Sequence, residues 1–66
     1  MPSMTGKEAI QALESYGWTE VSVRGSHHKL KHPKLGTFIV PVHGKKALSR
    51  GLYNKVIKLI AESMDS

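Results

Sequence analysis

The pair Gly25-Ser26 constrains this chain more than any other two residues. Glycine before serine suits a two-residue hairpin turn whose first position is left-handed. Before it, Trp18 to Arg24 alternates, with Val21 and Val23 pointing one way and Glu20 and Ser22 the other. That is the pattern of a half-buried strand. After it, His27 to His32 is the returning strand. A two-residue turn pairs Arg24 with His27, Val23 with His28, Ser22 with Lys29, Val21 with Leu30 and Glu20 with Lys31. The last is a favourable cross-strand charge pair. His28 and Leu30 are thereby assigned to the core face, and His27, Lys29 and Lys31 to the opposite face.

A third strand is expected at Thr37-Phe38-Ile39-Val40-Pro41-Val42, after a turn at Pro33-Lys34-Leu35-Gly36. A four-residue loop sets Ile39 beside Leu30; a five-residue loop sets Phe38 and Val40 on Leu30's face. One residue of slip exchanges the faces, and the five-residue loop is preferred because it buries the aromatic ring. Pro41 lacks a donor and marks a sheet edge or strand end. Upstream, Thr5 and Glu8 have the spacing of a capping box. The apolar positions Ala9, Ile10, Ala12, Leu13 and Tyr16 continue as a helical stripe, with Gly17 suited to the helix end. Downstream, Ser49 is expected to cap a second helix with apolar positions Leu52, Val56, Ile57, Leu59 and Ile60, followed by a frayed tail from Glu62 to Ser66. The order α-β-β-β-α predicts an α+β two-layer sandwich. A three-stranded antiparallel sheet has two helices on one face, as in double-stranded-RNA-binding domains.

Sixty-six residues allow one domain, 1–66, with a small core. The absence of cysteine excludes disulfides and thiolate metal sites. No apolar run approaches the roughly 20 residues of a membrane span, and no leader is expected. These features fit a cytoplasmic protein. A net charge of +5 favours a polyanionic partner, although a basic balance also serves solubility.

Three of the four histidines and three cations fall in the ten residues Arg24 to Pro33. Imidazole titrates near neutral pH, with an unperturbed pKa of about 6.5, and cations beside it suit a phosphodiester. His27 sits on the open face, next to Lys29 and opposite Arg24; an exposed strand histidine with no role is the competing reading. His28 is expected to face the helices as a hydrogen-bonded structural residue, and His32 to serve turn geometry before Pro33. His43 belongs to the basic connection His43-Gly44-Lys45-Lys46-Ala47, solvated or in contact with phosphate. Lys29, Lys31, Lys45 and Lys46 could track an RNA backbone, or simply protect a sheet edge. Trp18 and Tyr16 are expected in the core rather than as base-stacking groups. No metal is expected: His27 and His28 point to opposite faces, and His28 and His32 lie about 13 Å apart at about 3.3 Å per residue.

Several pieces together resemble the HicA family, small ribosome-independent mRNA interferases of bacterial type II toxin–antitoxin pairs. These are Tyr16-Gly17-Trp18, Val21-Ser22-Val23-Arg24, Gly25-Ser26-His27-His28, Lys31-His32-Pro33, and Val40-Pro41 before a basic loop and a helix. The resemblance runs from about Thr5 to Ile60. It implies the fold derived above and a metal-independent endoribonuclease that needs no cofactor. It further implies His27 as the catalytic histidine, Gly25 as part of the site, and a HicB-like antitoxin covering the active face. Arg24, Ser26, Lys29, Lys31, His43, Lys45 and Lys46 complete the candidate RNA-binding or site-supporting set. Ser49 and Arg50 depart from the proline and aliphatic residue common before the second helix's glycine. Ala61 to Ser66 run past the short Gly-Leu end of many members. A non-catalytic double-stranded-RNA-binding module is the alternative, on the same fold and cations without need of His27. A membrane-surface role is disfavoured because neither helix has a strongly basic polar face.

Overall fold

The computed structural model describes residues 3–65 and has the expected element order. Helix α1 spans Gly6–Glu14, strands β1, β2 and β3 span Thr19–Arg24, His27–His32 and Gly36–Pro41, and helix α2 spans Arg50–Met64. The strands form one antiparallel sheet in the order β1-β2-β3. Among the described residues, no helix is long and apolar enough to cross a membrane.

Each helix starts where its capping residue dictates. The Thr5 hydroxyl accepts from the Glu8 amide and the Glu8 carboxylate accepts from the Thr5 amide, which closes the capping box. The Ser49 hydroxyl accepts from the Leu52 amide. Helix α1 ends at Glu14, so Tyr16 falls in the following turn and is exposed rather than part of the stripe. Gly17 takes the left-handed conformation there, with φ of 95°.

Among the described residues, the core is a cluster of Ala9, Ile10, Leu13, Trp18, Leu30, Val40, Val56 and Leu59. Ile57, expected among them, is exposed because it lies off the buried stripe of α2. The tail is not frayed: α2 continues to Met64 and Ser63 is buried. The Trp18 indole N–H donates to the Ser63 hydroxyl at 2.8 Å, and that hydroxyl donates to the Leu59 carbonyl at 2.6 Å. Ser66 lies outside the described residues.

Two details of register differ from expectation. A bulge at Val21 interrupts the first hairpin: Glu20 pairs with Leu30 and Thr19 with Lys31, in place of Val21 with Leu30 and Glu20 with Lys31. The extra residue in one strand shifts the alternation beyond it. The second connection is three residues long, since His32 pairs with Gly36. It is two residues shorter than the preferred loop and so keeps the same parity, with Phe38 and Val40 on the face of Leu30. The short loop is held by His32, whose Nδ1 accepts from the amides of Lys34 and Leu35 at 3.1 and 3.2 Å. Its ring is buried against Trp18, with centroids 5.3 Å apart.

Candidate functional site

The first hairpin decides which side chains reach solvent together. Gly25 is left-handed, with φ of 55°, as a glycine-first turn requires, and among the described residues no non-glycine residue shares that sign. The turn pairs Arg24 with His27, and His27 pairs on its other side with Pro41. The next row across the open face is Ser22, Lys29 and Ile39, and the one after it Thr19, Lys31 and Thr37. All of these except the half-buried Pro41 are exposed.

Ser22, Arg24, His27, Lys29 and Ile39 line one depression of about 340 Å³. It holds an imidazole, an ammonium, a guanidinium, a hydroxyl and an aliphatic wall, and no carboxylate. Such a set can hold a phosphodiester by charge and move a proton at one point. Arg24, His27 and Lys29 are therefore brought together as the hairpin pairing implied. Lys31 lies two residues further along the same face of β2. Gly25 and Ser26 form the turn, and the Ser26 carbonyl accepts from the Val42 amide at 2.7 Å, which holds the end of β3 beside the turn.

His43 and Lys46 line a second depression with Pro41, Ala47, Leu48, Ser49 and Leu52. Of its lining, Pro41 is the cross-strand partner of His27. A turn closed by the Lys46 amide on the His43 carbonyl, at 3.0 Å, sets both residues there. Lys45 is exposed in that turn and lines neither depression.

His28 is separated from His27 by the sheet itself. It faces α1, half-buried, with Nδ1 3.4 Å from Glu20 Oε2. Both line a cleft of about 310 Å³ with Lys7, Ile10, Gln11, Glu14 and Val42. The bulge accounts for this contact, because it turns Glu20 to the helix side. Among the described residues, no three His, Asp or Glu side chains converge to hold a metal ion.

Sequence reasoning missed two residues of the first depression. Ser22 was legible as the partner of Lys29, but a serine without a neighbouring base carries no chemical signal. Ile39 depended on the register of the third strand, which the sequence left open between two loops.

Residues 6–61 match the model of a protein family described as the HicA toxin of bacterial toxin–antitoxin systems. No curated protein matches the chain.

Proposed function

The chain belongs to the HicA toxin family and is a toxin of a toxin–antitoxin system, and on that premise we propose that it is an endoribonuclease that cleaves mRNA through His27. The observation that carries the proposal is the depression in which His27 lies exposed between Arg24 and Lys29, with no acidic side chain in its lining.

In this mechanism the RNA supplies its own nucleophile. His27 removes the proton of a ribose 2′-hydroxyl, and the 2′-oxygen attacks the adjacent phosphorus. The bond from phosphorus to the 5′-oxygen breaks, leaving a 2′,3′-cyclic phosphate and a 5′-hydroxyl. Arg24 and Lys29 stabilise the charge that develops on the phosphoryl oxygens. The depression contains one imidazole, so the leaving oxygen takes its proton from water or from Lys29, and turnover is slow. Nothing in this scheme uses a metal ion.

The same reading assigns residues 1–66 to one HicA-like domain acting in the cytoplasm. A HicB-like antitoxin silences it by covering the His27 face, and a basic face is captured fastest by an acidic partner.

The test is cleavage of a long single-stranded RNA in EDTA by the purified protein beside His27→Ala. General acid–base help is worth roughly 10²–10⁴-fold, so the variant should lose that much activity while melting like the wild type. Equal cleavage by both would remove His27 from the mechanism. Salt-sensitive RNA binding without cleavage by either would replace the nuclease with a binding module.

A further inference from the structure

We propose that Ile39, with Ser22 across the row, forms a nucleobase-binding subsite beside His27. The proposal rests on the ribonuclease reading above and deepens it by naming what the apolar part of the site holds.

Ile39 is 48% exposed and pairs with the exposed Lys29, on the sheet face opposite the core residues Leu30 and Val40. A lone exposed aliphatic residue is ordinary on a protein surface; its position sets this one apart. Ile39 lines the same depression as His27, where every other lining side chain is polar or charged. It pairs with Lys29, while His27 pairs with Pro41 two residues further along β3. Ile39 is thus diagonal to His27, a relation that places side-chain stems about 7–8 Å apart.

A nucleotide with its phosphate against His27 and the two cations must put a base somewhere within that reach. The cations bind the backbone without regard to the base. Ile39 offers what they lack, an apolar surface for the flat face of a base. Its β-branched side chain is stiff, so little rotamer freedom is lost when the base lands on it. Ser22 stands on the far side of Lys29 in the same row, and its hydroxyl can donate to or accept from a base edge. A base can lie on Ile39 only after leaving its stack, so the subsite selects single-stranded, unstacked RNA.

A chemical double-mutant cycle tests this. Cut sites of the wild-type protein are first mapped on a long RNA. Short oligoribonucleotides around one site are then made intact, or with one abasic residue on either side of the cut. Single-turnover cleavage is measured for wild type, Ile39→Ala and Ile39→Val, each checked for an unchanged melt.

We expect one of the two abasic positions to slow wild-type cleavage about tenfold, the worth of one buried aliphatic contact. Ile39→Ala should slow the intact substrate by a similar factor and show little further loss on the abasic one. Ile39→Val should recover most of the rate. If the two losses multiply at both positions, or if Ile39→Ala cleaves like wild type, Ile39 holds no base and His27 keeps its role. If the wild type cuts no RNA, the ribonuclease reading fails and the subsite with it.

Discussion

Replacing Ser63 with alanine tests whether the end of α2 belongs to the folded core. The Trp18 indole is 3% exposed and donates to the Ser63 hydroxyl at 2.8 Å. Removing that oxygen leaves a buried N–H without this acceptor, at a cost of about 1–3 kcal/mol. Two smaller effects oppose it. Alanine is the better helix former by up to about 0.5 kcal/mol. The hydroxyl's bond back to the Leu59 carbonyl is of a kind that slightly weakens a helix. The desolvated indole dominates, and a net loss of about 1–2 kcal/mol is expected. In a domain of this size 1 kcal/mol moves the midpoint by about 4–8 °C, so the melt should fall by roughly 5–15 °C. Trp18 is the one tryptophan of the chain, and its fluorescence follows urea and thermal unfolding directly. The exposed neighbour Glu62 is the control, since Glu62→Ala should stay within about 0.5 kcal/mol. Trp18→Phe completes the cycle by removing the donor, after which Ser63→Ala should cost almost nothing. A Ser63→Ala protein as stable as wild type, or an equal loss in both backgrounds, would mean that the Trp18–Ser63 hydrogen bond does not tie the end of α2 to the core.

Gly6→Ala sets helix propensity against packing. Alanine favours the helix by up to about 1 kcal/mol, but its methyl would lie 2.5 Å from the Pro41 carbonyl oxygen and 2.9 Å from the Val42 side chain. Overpacking of this kind costs about 1–3 kcal/mol, so urea unfolding should show net destabilisation; a stabilised variant would mean that α1 and the end of β3 lie further apart. The salt dependence of RNA binding, measured on His27→Ala to prevent cleavage, reports how far the strand tracks the basic face. Contacts from Arg24, Lys29, Lys31, Lys45 and Lys46 give a log–log slope of about −3.5, and loss of the two loop lysines lowers it to about −2. An unchanged slope in the Lys45→Ala, Lys46→Ala variant would take the loop off the RNA path.

Much of this fold was legible because punctuation and periodicity agreed. Thr5 with Glu8, Gly25 with Ser26, and Ser49 each mark a boundary by a local hydrogen bond or a local dihedral preference, which a sequence states outright. What was not legible depended on distant partners. Nothing local marks Ser63 as buried; its place follows from an indole forty-five residues away. The length of the second connection was equally hidden, because it rests on His32 Nδ1 gathering two amides, where the residue types alone suggested only a turn. The site followed the same rule. Arg24, His27 and Lys29 lie within a few residues of one turn and could be placed together. Ile39 required the pairing of a third strand.

The bulge at Val21 connects these observations to function. Without it, Glu20 would pair with Lys31 and stand on the open face, one row beyond Ser22 and Lys29. With it, Glu20 pairs with Leu30, turns to the helix side and reaches His28. The other four acidic residues lie on the helices or at their ends: Glu8 and Glu14 on α1, Glu62 and Asp65 at the end of α2. Among the described residues, the open sheet face therefore carries cations and no carboxylate. A carboxylate there would lie within the roughly 8–10 Å over which charges act at ordinary salt. It would repel a phosphate held by Arg24 and Lys29 and offset part of their attraction. One inserted residue thus keeps the Glu20 carboxylate off that face and supplies His28 with its carboxylate partner. It also explains why His27 and His28, adjacent in sequence, have different surroundings: one shares a solvent-facing depression with two cations, the other a cleft with two of the chain's five acidic residues.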